Sequence, residues 1–321
     1  MTKMNMVQAI NTALSQEMTK DKDVVLLGED VGRAGGVFRV TDGLKEKFGV
    51  RVIDTPLAEL GIVGTAVGMA ALGLKPVAEI QFSGFVYGAY DELISHASRL
   101  RNRTRGTLSC PMVLRTPYGG GIRALEHHSE SMEAIYAHTP GLKVVIPSRP
   151  YDAKGLLIAS IRDPDPVIFM EPKRVYRAIK EEVPDEEYEI PLGKANVIEE
   201  GDQLTLIAHG SMIKTCLETV SKMDESVEVI DLRTIYPLDT KTIIDSVKKT
   251  GRVVIVHEAP QTCGIGAEII ARINEKAFTS LEAPVKRVAG FDTVFPLSKM
   301  ENHYLPDELR IKSAITEVLK Y

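Results

Sequence analysis

Short apolar runs alternate with helix-like stretches along the first half of the chain. Five runs rich in Val, Ile and Leu have the length of buried strands, at residues 24–27, 51–54, 77–80, 112–114 and 144–146. Helical periodicity predicts helices between them, at residues 4–18, 60–74 and 90–103. Strands that are buried on both faces and separated by helices are typical of a parallel sheet, so the pattern predicts an open α/β domain.

The same alternation returns after an acidic interruption. Residues 181–187 are mostly acidic, contain Pro184 and offer little to bury, which favours an interdomain connection. Beyond it, the pattern predicts strands at residues 204–208, 227–230, 253–256 and 285–288, and helices at residues 212–223, 240–249 and 267–277. We therefore expect a first domain over residues 1–180, a linker over 181–195 and a second α/β domain over 196–321.

Composition and charge exclude several classes of partner. Hydrophobic residues make up 44% of the chain, aromatic residues only 6%, and Trp is absent, so the cores must be built from aliphatic side chains. The net charge of −5 is too small to favour nucleic acid or a membrane surface. Cys110, Cys216 and Cys263 form no C-x-x-C pair, and no segment has the pattern of a membrane span or a signal peptide. We expect a cytoplasmic protein.

Residues that follow the predicted strands are the first candidates for chemistry, because ligands of open α/β sheets bind at the carboxyl ends of strands. Glu59 follows Pro56 at a strand-to-helix turn. Glycines beyond it permit close packing of the predicted helix. Two interpretations stay open for Glu59: a carboxylate that stabilises a helix amino terminus, or a functional carboxyl group.

Three later segments also qualify. Residues 81–87 form an aromatic cluster that either fills a core or stacks on a planar ring. Residues 119–121 are glycines of a loop, expected to be mobile, that leads to His127 and His128. Only one of these histidines is expected to point into a site, and their spacing does not indicate a metal site. Residues 160–166 form an oxygen-rich turn, which is either an ordinary loop or a holder of a hard cation.

Nucleotide and nucleic-acid sites are not indicated. No P-loop is present, and Gly264-Ile265-Gly266 starts a G-x-G-x-x-G motif whose sixth position is Ile269. The arginines at positions 99, 101, 103 and 105 lack interleaved aromatic residues, which favours a solvated face or a subunit contact.

Five longer motifs carry a family resemblance that covers nearly the whole chain. They lie, in order, at residues 28–32, 54–59, 128–129, 138–145 and 231–234. With them the chain resembles the β subunits of the decarboxylating component of 2-oxo acid dehydrogenase complexes. The resemblance implies an α/β fold in which a transketolase-like pyrimidine-binding domain precedes a transketolase carboxyl-terminal domain.

The resemblance also implies a missing half of the active site. Thiamine enzymes bind the cofactor's diphosphate and magnesium through a G-D-G motif, and the nearest string here, Gly201-Asp202-Gln203, lacks the second glycine. An α subunit is therefore implied to hold the diphosphate and the magnesium. The family arrangement is an α2β2 heterotetramer that contains a second β subunit and binds thiamine diphosphate between α and β.

Three residues match the family's site. Glu59 matches the carboxyl group that hydrogen-bonds a pyrimidine nitrogen of the cofactor, and Phe85 matches the aromatic residue that packs on the pyrimidine. His128 matches the histidine that faces the 2-oxo acid and the lipoyl group, with hydrogen bonding and proton transfer in reductive acylation as its implied roles. Water would compete for the proton that Glu59 shares, so we expect an apolar site among Leu57, Ile62 and Phe85. His127 departs from the family pattern and is given no role.

A potassium site is implied as well, formed mostly by main-chain oxygens. Relatives often carry Asn at the last of the matching positions, which here are Cys110, Met112, Val113, Ser160, Asp163 and Asp165.

The second domain shows no catalytic cluster, so we expect it to serve assembly. The resemblance implies docking of a dihydrolipoyl acyltransferase through its basic subunit-binding domain, besides contact with its lipoyl domain. Complementary negative charge is then expected on this chain. Glu282 and the terminal carboxylate of Tyr321 are the docking candidates.

The substrate is the least determined part of the interpretation. Residues 78–82, 169–173 and 257–260 look more like the branched-chain enzymes, which favours a branched-chain 2-oxo acid, with pyruvate as the alternative. A non-catalytic scaffold of the same fold is a rival hypothesis. The presence of Glu59, Phe85 and His128 together favours the enzyme subunit.

Overall fold

The computed structural model describes residues 1–321. Its strands are β1 (Thr2–Met4), β2 (Val24–Gly28), β3 (Val52–Asp54), β4 (Lys75–Glu79), β5 (Val113–Tyr118), β6 (Lys143–Val145), β7 (Val167–Pro172), β8 (Glu181–Val183), β9 (Asn196–Glu199), β10 (Leu204–Ala208), β11 (Val227–Asp231), β12 (Thr234–Tyr236), β13 (Val253–Pro260) and β14 (Lys286–Gly290). Its α-helices are α1 (Met6–Lys20), α2 (Leu44–Phe48), α3 (Glu59–Ala71), α4 (Leu100–Arg103), α5 (Glu133–Ala137), α6 (Pro150–Arg162), α7 (Ser211–Val220), α8 (Thr240–Thr250), α9 (Ile265–Ala277), α10 (Glu301–Tyr304) and α11 (Glu308–Val318).

The first sheet has seven strands in the order β12-β6-β7-β5-β4-β2-β3. All neighbours are parallel except β12 and β6. Helices α1 and α6 pack together, and residues such as Ile10, Leu14 and Leu157 join the apolar core beside the sheet. Helix α3 contributes Ile62 and Ala66 to a second core. Helices cover both faces of the sheet, which explains why its strands are nearly continuous apolar runs in the sequence.

The second sheet has the order β14-β13-β10-β11-β9, with β9 antiparallel to β11. Helices α7 and α11 contribute to one core beside it. The core beside α8 and α9 contains Ile255 and Ile269, and it is continuous with the core that α3 contributes to in the first region. The two α/β regions therefore share buried apolar surface.

Strand β12 belongs to the second half of the chain but pairs with the first sheet. Thr234 lies opposite Val145 and Tyr236 opposite Val144 in the antiparallel pair with β6. The free edge of β6 is thus paired with a strand from beyond the acidic stretch, and β12 becomes the outer strand of the first sheet.

The acidic stretch is not a free connection, in contrast to its sequence pattern. Strand β8 pairs with β1 at the amino terminus. Glu187 forms ion pairs with Lys20 and Arg162, and Glu189 pairs with Arg162. Cations from α1 and α6 therefore attach the stretch to the first region.

Most predicted elements are confirmed, with ends shifted by a few residues. The predicted helix over residues 90–103 is wrong as a continuous helix, because a π-helical turn (Glu92–His96) and a 3-10 turn (Ala97–Arg99) precede α4. Helices α6 and α11 and the interior strand β7 were not predicted. None of the helices has the length and apolarity required to span a membrane.

Candidate active site

Glu59 is the first residue of α3, just beyond the carboxyl end of β3. Ala58 precedes the helix and provides no side-chain cap, so free backbone N–H groups remain in the first turn. Glu59 is half-buried in the chain. Of its expected apolar surround, Ile62 is buried and Phe85 is half-buried, but Leu57 is 69% exposed. This chain alone therefore shields Glu59 only on one side.

The loop after β2 lies beside this turn. The N–H groups of Gly32 and Arg33 donate to the Asp54 carboxylate at 2.6 and 3.0 Å. Glu29, at the start of this loop, lies close enough to Glu59 for their charges to interact. Burial raises the pKa of Glu29, and the charges of Asp30 and Glu59 raise it further. Glu29 was not predicted as a site residue, although its position after a strand adjacent to β3 was a usable signal.

Phe85 and His128 lie together in an aromatic cluster with Phe82. The His128 ring centroid is 4.3 Å from that of Phe82 and 5.1 Å from that of Phe85. The 3-10 segment that carries Phe85 (Ser83–Ala89) packs against α3, which begins at Glu59. The predicted triad is thus distributed over three segments at the carboxyl ends of the strands.

A glycine permits this arrangement. A side chain at Gly84 would overlap the main-chain carbonyl oxygen of His127, so only glycine allows the Ser83–Ala89 and Glu126–His128 segments to approach. His127 is exposed, whereas the Nδ1 atom of His128 is buried and has no hydrogen-bond partner. An unpaired buried nitrogen beside two aromatic rings is what a site that receives a polar ligand would present.

Lys173 is a neighbour that sequence reasoning missed. Its ammonium lies 5.7 Å from the centroid of the Phe82 ring and donates a 2.6 Å hydrogen bond to the Gly119 carbonyl oxygen. Burial lowers its pKa from 10.5 to about 7, opposed by the charges of Glu258 and Glu301. Its sequence gave little indication of a site, because lysines are usually exposed to solvent and the preceding strand β7 was not predicted.

The site residues fit an aminopyrimidine but not a diphosphate. A carboxyl group at a helix start, a nearby aromatic ring and an unpaired histidine nitrogen suit the edge and face of a planar heterocycle. Gly201 instead packs against the backbone of Val227 and Glu228, and the Asp202 N–H donates to Ser226. No group of three or more His, Cys, Asp or Glu side chains in the chain is arranged to hold a metal ion.

The segments predicted to hold potassium lie side by side. The Cys110 N–H donates to the Pro164 carbonyl oxygen at 3.2 Å. Both carboxylates already have cationic partners: Asp163 contacts Lys143 at 2.6 Å and Asp165 contacts Arg101 at 2.6 Å. A cation here would depend on the remaining lone pairs of main-chain oxygens, and the potassium site stays a prediction.

The docking candidates lie at the opposite end of the second sheet from the first region. Glu282 pairs with Arg252 at 2.6 Å, immediately before β13. Lys286, at the start of β14, pairs with Glu317 at 2.6 Å, and Tyr321 lies close enough to add to the rise in the Lys286 pKa. Glu282 and Tyr321 are therefore brought close to the same end of the sheet, but Glu282 has a cation of its own.

Comparison with known proteins decides the family. The profile of the family "Transketolase, pyrimidine binding domain" matches residues 2–179, and that of "Transketolase, C-terminal domain" matches residues 193–311. A protein of Acholeplasma laidlawii named "Pyruvate dehydrogenase E1 component subunit beta" is 54% identical over 98% of both chains. A protein of the same name from Staphylococcus epidermidis is 51% identical over the full length of both. This chain belongs to the E1 β-subunit family of the 2-oxo acid dehydrogenases.

A solved structure supports the fold independently. The "Split gene transketolase, inactive beta4 tetramer" superposes with a TM-score of 0.82 over 99% of both chains, at 20% sequence identity. At this identity the likeness concerns the fold alone. It confirms the predicted transketolase-like α/β architecture of this E1 β-subunit family member.

Proposed function

We propose that this chain is the β subunit of a pyruvate dehydrogenase E1 component. With an α subunit it catalyses thiamine-diphosphate-dependent oxidative decarboxylation of pyruvate and reductive acylation of the lipoyl group of a dihydrolipoyl acyltransferase. The observation that carries the proposal is the joint placement of Glu59, Phe85 and His128 on adjoining segments beyond the sheet. The named relatives support the reaction class.

Bound thiamine diphosphate would supply an acidic thiazolium carbon that adds to the 2-oxo group and an electron sink for the loss of carbon dioxide. Glu59 would hydrogen-bond a pyrimidine nitrogen and hold the proton that this ring shares. Phe85 would orient the ring by packing. His128 would donate or accept a proton at the reacting oxygen or at the lipoyl sulfur through its imidazole ring.

The exposed side chains around Glu59 support a partner subunit. Leu57 and Leu60 flank Glu59 and are 69% and 54% exposed. Apolar side chains beside a polar site are typical of a surface that another chain covers. An α subunit that packs there would exclude water from the Glu59 hydrogen bond and supply the diphosphate and magnesium site, in an α2β2 heterotetramer.

We assign pyruvate as the substrate, although three sequence segments favoured a branched-chain 2-oxo acid. The relatives are named for pyruvate dehydrogenase. Two of the features have another explanation in the structure, because Glu79 and Glu171 both contact the buried Arg115 guanidinium at 2.7 Å. They belong to an ion network inside the first sheet. Such residues do not report the size of a substrate pocket.

Co-purification with the G-D-G-containing α subunit, expected from a neighbouring gene, tests the proposal. We expect no decarboxylation by this chain alone and thiamine-dependent turnover with an artificial electron acceptor once α is added. Pyruvate should exceed 3-methyl-2-oxobutanoate in kcat/KM by at least ~10-fold, since extra methyl groups must enter a pocket shaped for a smaller acid. A stable αβ complex without turnover would support the scaffold hypothesis, and the opposite preference would restore the branched-chain assignment.

A further inference from the structure

The loop between β5 and α5 holds His128 near its end, and its base is closed by a backbone hydrogen bond. The Gly119 N–H donates to the Glu130 carbonyl oxygen at 3.1 Å. We call residues 119–130 the histidine loop. Its glycines suggested mobility, but the structure shows its backbone held from outside.

The first half of the histidine loop is bound by a carboxylate of the second region. The N–H groups of Gly121 and Arg123 donate to the two oxygens of Glu301, each at 3.1 Å. Glu301 lies on α10 and is only 3% exposed. Hydrogen bonds to an ionised carboxylate are stronger than neutral ones, and burial makes their loss costly. Both oxygens of Glu301 are thus used to hold the loop.

A second carboxylate binds the start of the loop. The Gly120 N–H donates to Glu258 Oε2 at 3.1 Å, and the other Glu258 oxygen accepts from the Ser211 hydroxyl. Lys173 donates to the Gly119 carbonyl oxygen. The loop backbone therefore meets three buried ionisable side chains, those of Glu258, Glu301 and Lys173.

The glycines are required by these close approaches. Gly119 and Gly121 have φ values of +77° and +107°, which other residues rarely adopt. A Cβ atom at Gly119 would meet the Glu258 carboxylate, and one at Gly120 would meet Phe295 and Leu305. The loop sequence is thus shaped by the second region.

We propose that Glu258 and Glu301 are positioning residues, through which the second domain fixes the histidine loop and with it the place of His128. The second domain then does more than serve assembly. The effect on catalysis rests on the proposed function, whereas the restraint on the loop does not.

Amide hydrogen exchange and trypsin cleavage of the full chain test the restraint. Arg123 is exposed, so its peptide bond is open to trypsin once the loop leaves the surface. In E301Q one acceptor oxygen becomes an amide N–H₂ that faces a donor, and we expect exchange at residues 120–123 and cleavage after Arg123 to rise by ~10-fold or more. E308Q is the matched control, because Glu308 is a partly exposed carboxylate that pairs with Lys222.

Two precautions keep this test decisive. E301D keeps the charge but shortens the reach, and it should release the loop in the same direction where E301Q does not fold. Circular dichroism on each variant separates loop release from unfolding. Wild-type exchange and cleavage in a folded E301Q or E301D would overturn the proposal.

Kinetics of the tetramer reconstituted with α test the link to His128. E301Q should lower kcat for reductive acylation of the free lipoyl domain by about 10- to 100-fold with little change in KM, the scale of a misplaced catalytic group. In an H128A background, E301Q should cause no further loss, since the two changes then remove one function. Fully multiplicative losses would refute positioning through His128. Inactivity of the wild-type tetramer would refute the proposed function and leave the exchange result standing.

Discussion

At the residue scale, a site residue could be predicted where the residues next to it in sequence also define its structural surroundings. Glu59 could be selected because a strand end, Pro56 and a helix start lie within a few residues. Lys173 could not, because its burial depends on the histidine loop and on Glu258, far along the chain. Local sequence therefore predicts the position of a residue such as Glu59, whereas the burial of Lys173 depends on contacts between segments that are distant in sequence.

The clearest residue-scale prediction concerns Glu59. In the reconstituted tetramer, E59Q should still bind thiamine diphosphate through α, because the diphosphate contacts lie there. An amide cannot share a proton with the pyrimidine ring as a carboxyl group does, so hydrogen exchange at the thiazolium carbon should slow by ~100-fold or more. NMR of the bound cofactor measures this rate. The exposed carboxylate Glu46 provides the control variant E46Q, and unchanged exchange in E59Q would remove Glu59 from the mechanism.

At the scale of elements, two buried carboxylates meet where the two regions join. Asp231 ends β11, Asp152 lies on α6, and both are almost fully buried. Arg233 contacts Asp152 at 2.6 Å. Burial, and then the charge of Asp152, raises the pKa of Asp231 from 3.8 to about 7. Residues 231–234 were recognised as a family motif, but their role in this junction depended on contacts that sequence does not reveal.

The raised pKa predicts a pH dependence of stability. Between about pH 4 and 7 the folded chain holds a proton on Asp231 that the unfolded chain releases. The free energy of unfolding therefore falls as pH rises through this range, and the contribution of the bound proton is lost above about pH 7. The shift corresponds to roughly 4 kcal/mol at most. D231N keeps the oxygen that accepts from the Arg233 N–H and cannot ionise, so relative to wild type it should gain stability from pH 5 to pH 8.

Urea unfolding of both proteins at pH 5 and pH 8 measures this gain. D245N is the control, since Asp245 is an exposed carboxylate that pairs with Lys241 on α8. Burial lowers the pKa of His257 from 6.5 to about 4, so His257 causes the free energy of unfolding to fall as pH falls below 6.5. This effect is the same in wild type, D231N and D245N, and it cancels when the proteins are compared. A constant difference between D231N and wild type would contradict the prediction.

At the scale of the whole molecule, sequence patterns predicted the class and order of elements but not how the two halves interlock. The interior strand β7 was not predicted although residues 167–170 are apolar, because prolines at 164 and 166 suggested only a turn. The pairing of β12 with β6 joins residues about 90 positions apart, and periodicity carries no information on partners. The carboxylates that hold the histidine loop are more distant still.

The last prediction concerns assembly. If Glu282 and the Tyr321 carboxylate dock the basic subunit-binding domain of the acyltransferase, E282K together with an extension beyond Tyr321 should weaken binding, and more strongly at low salt, where repulsion is least screened. The pairing of Glu282 with Arg252 limits the expected loss from E282K alone, because part of its charge is already neutralised. Turnover with an artificial acceptor should persist, because these residues lie at the sheet end away from the histidine loop and its anchors Glu258 and Glu301.

Calorimetric titration of the tetramer with the isolated binding domain at two salt concentrations measures the effect. E218K introduces the same charge change on α7, where Glu218 pairs with Lys214 on the same helix, and so controls for net charge. Equal weakening by E218K would mean that overall charge, not a local contact, determines binding. Wild-type affinity in the altered protein would place the docking surface away from the amino ends of β13 and β14.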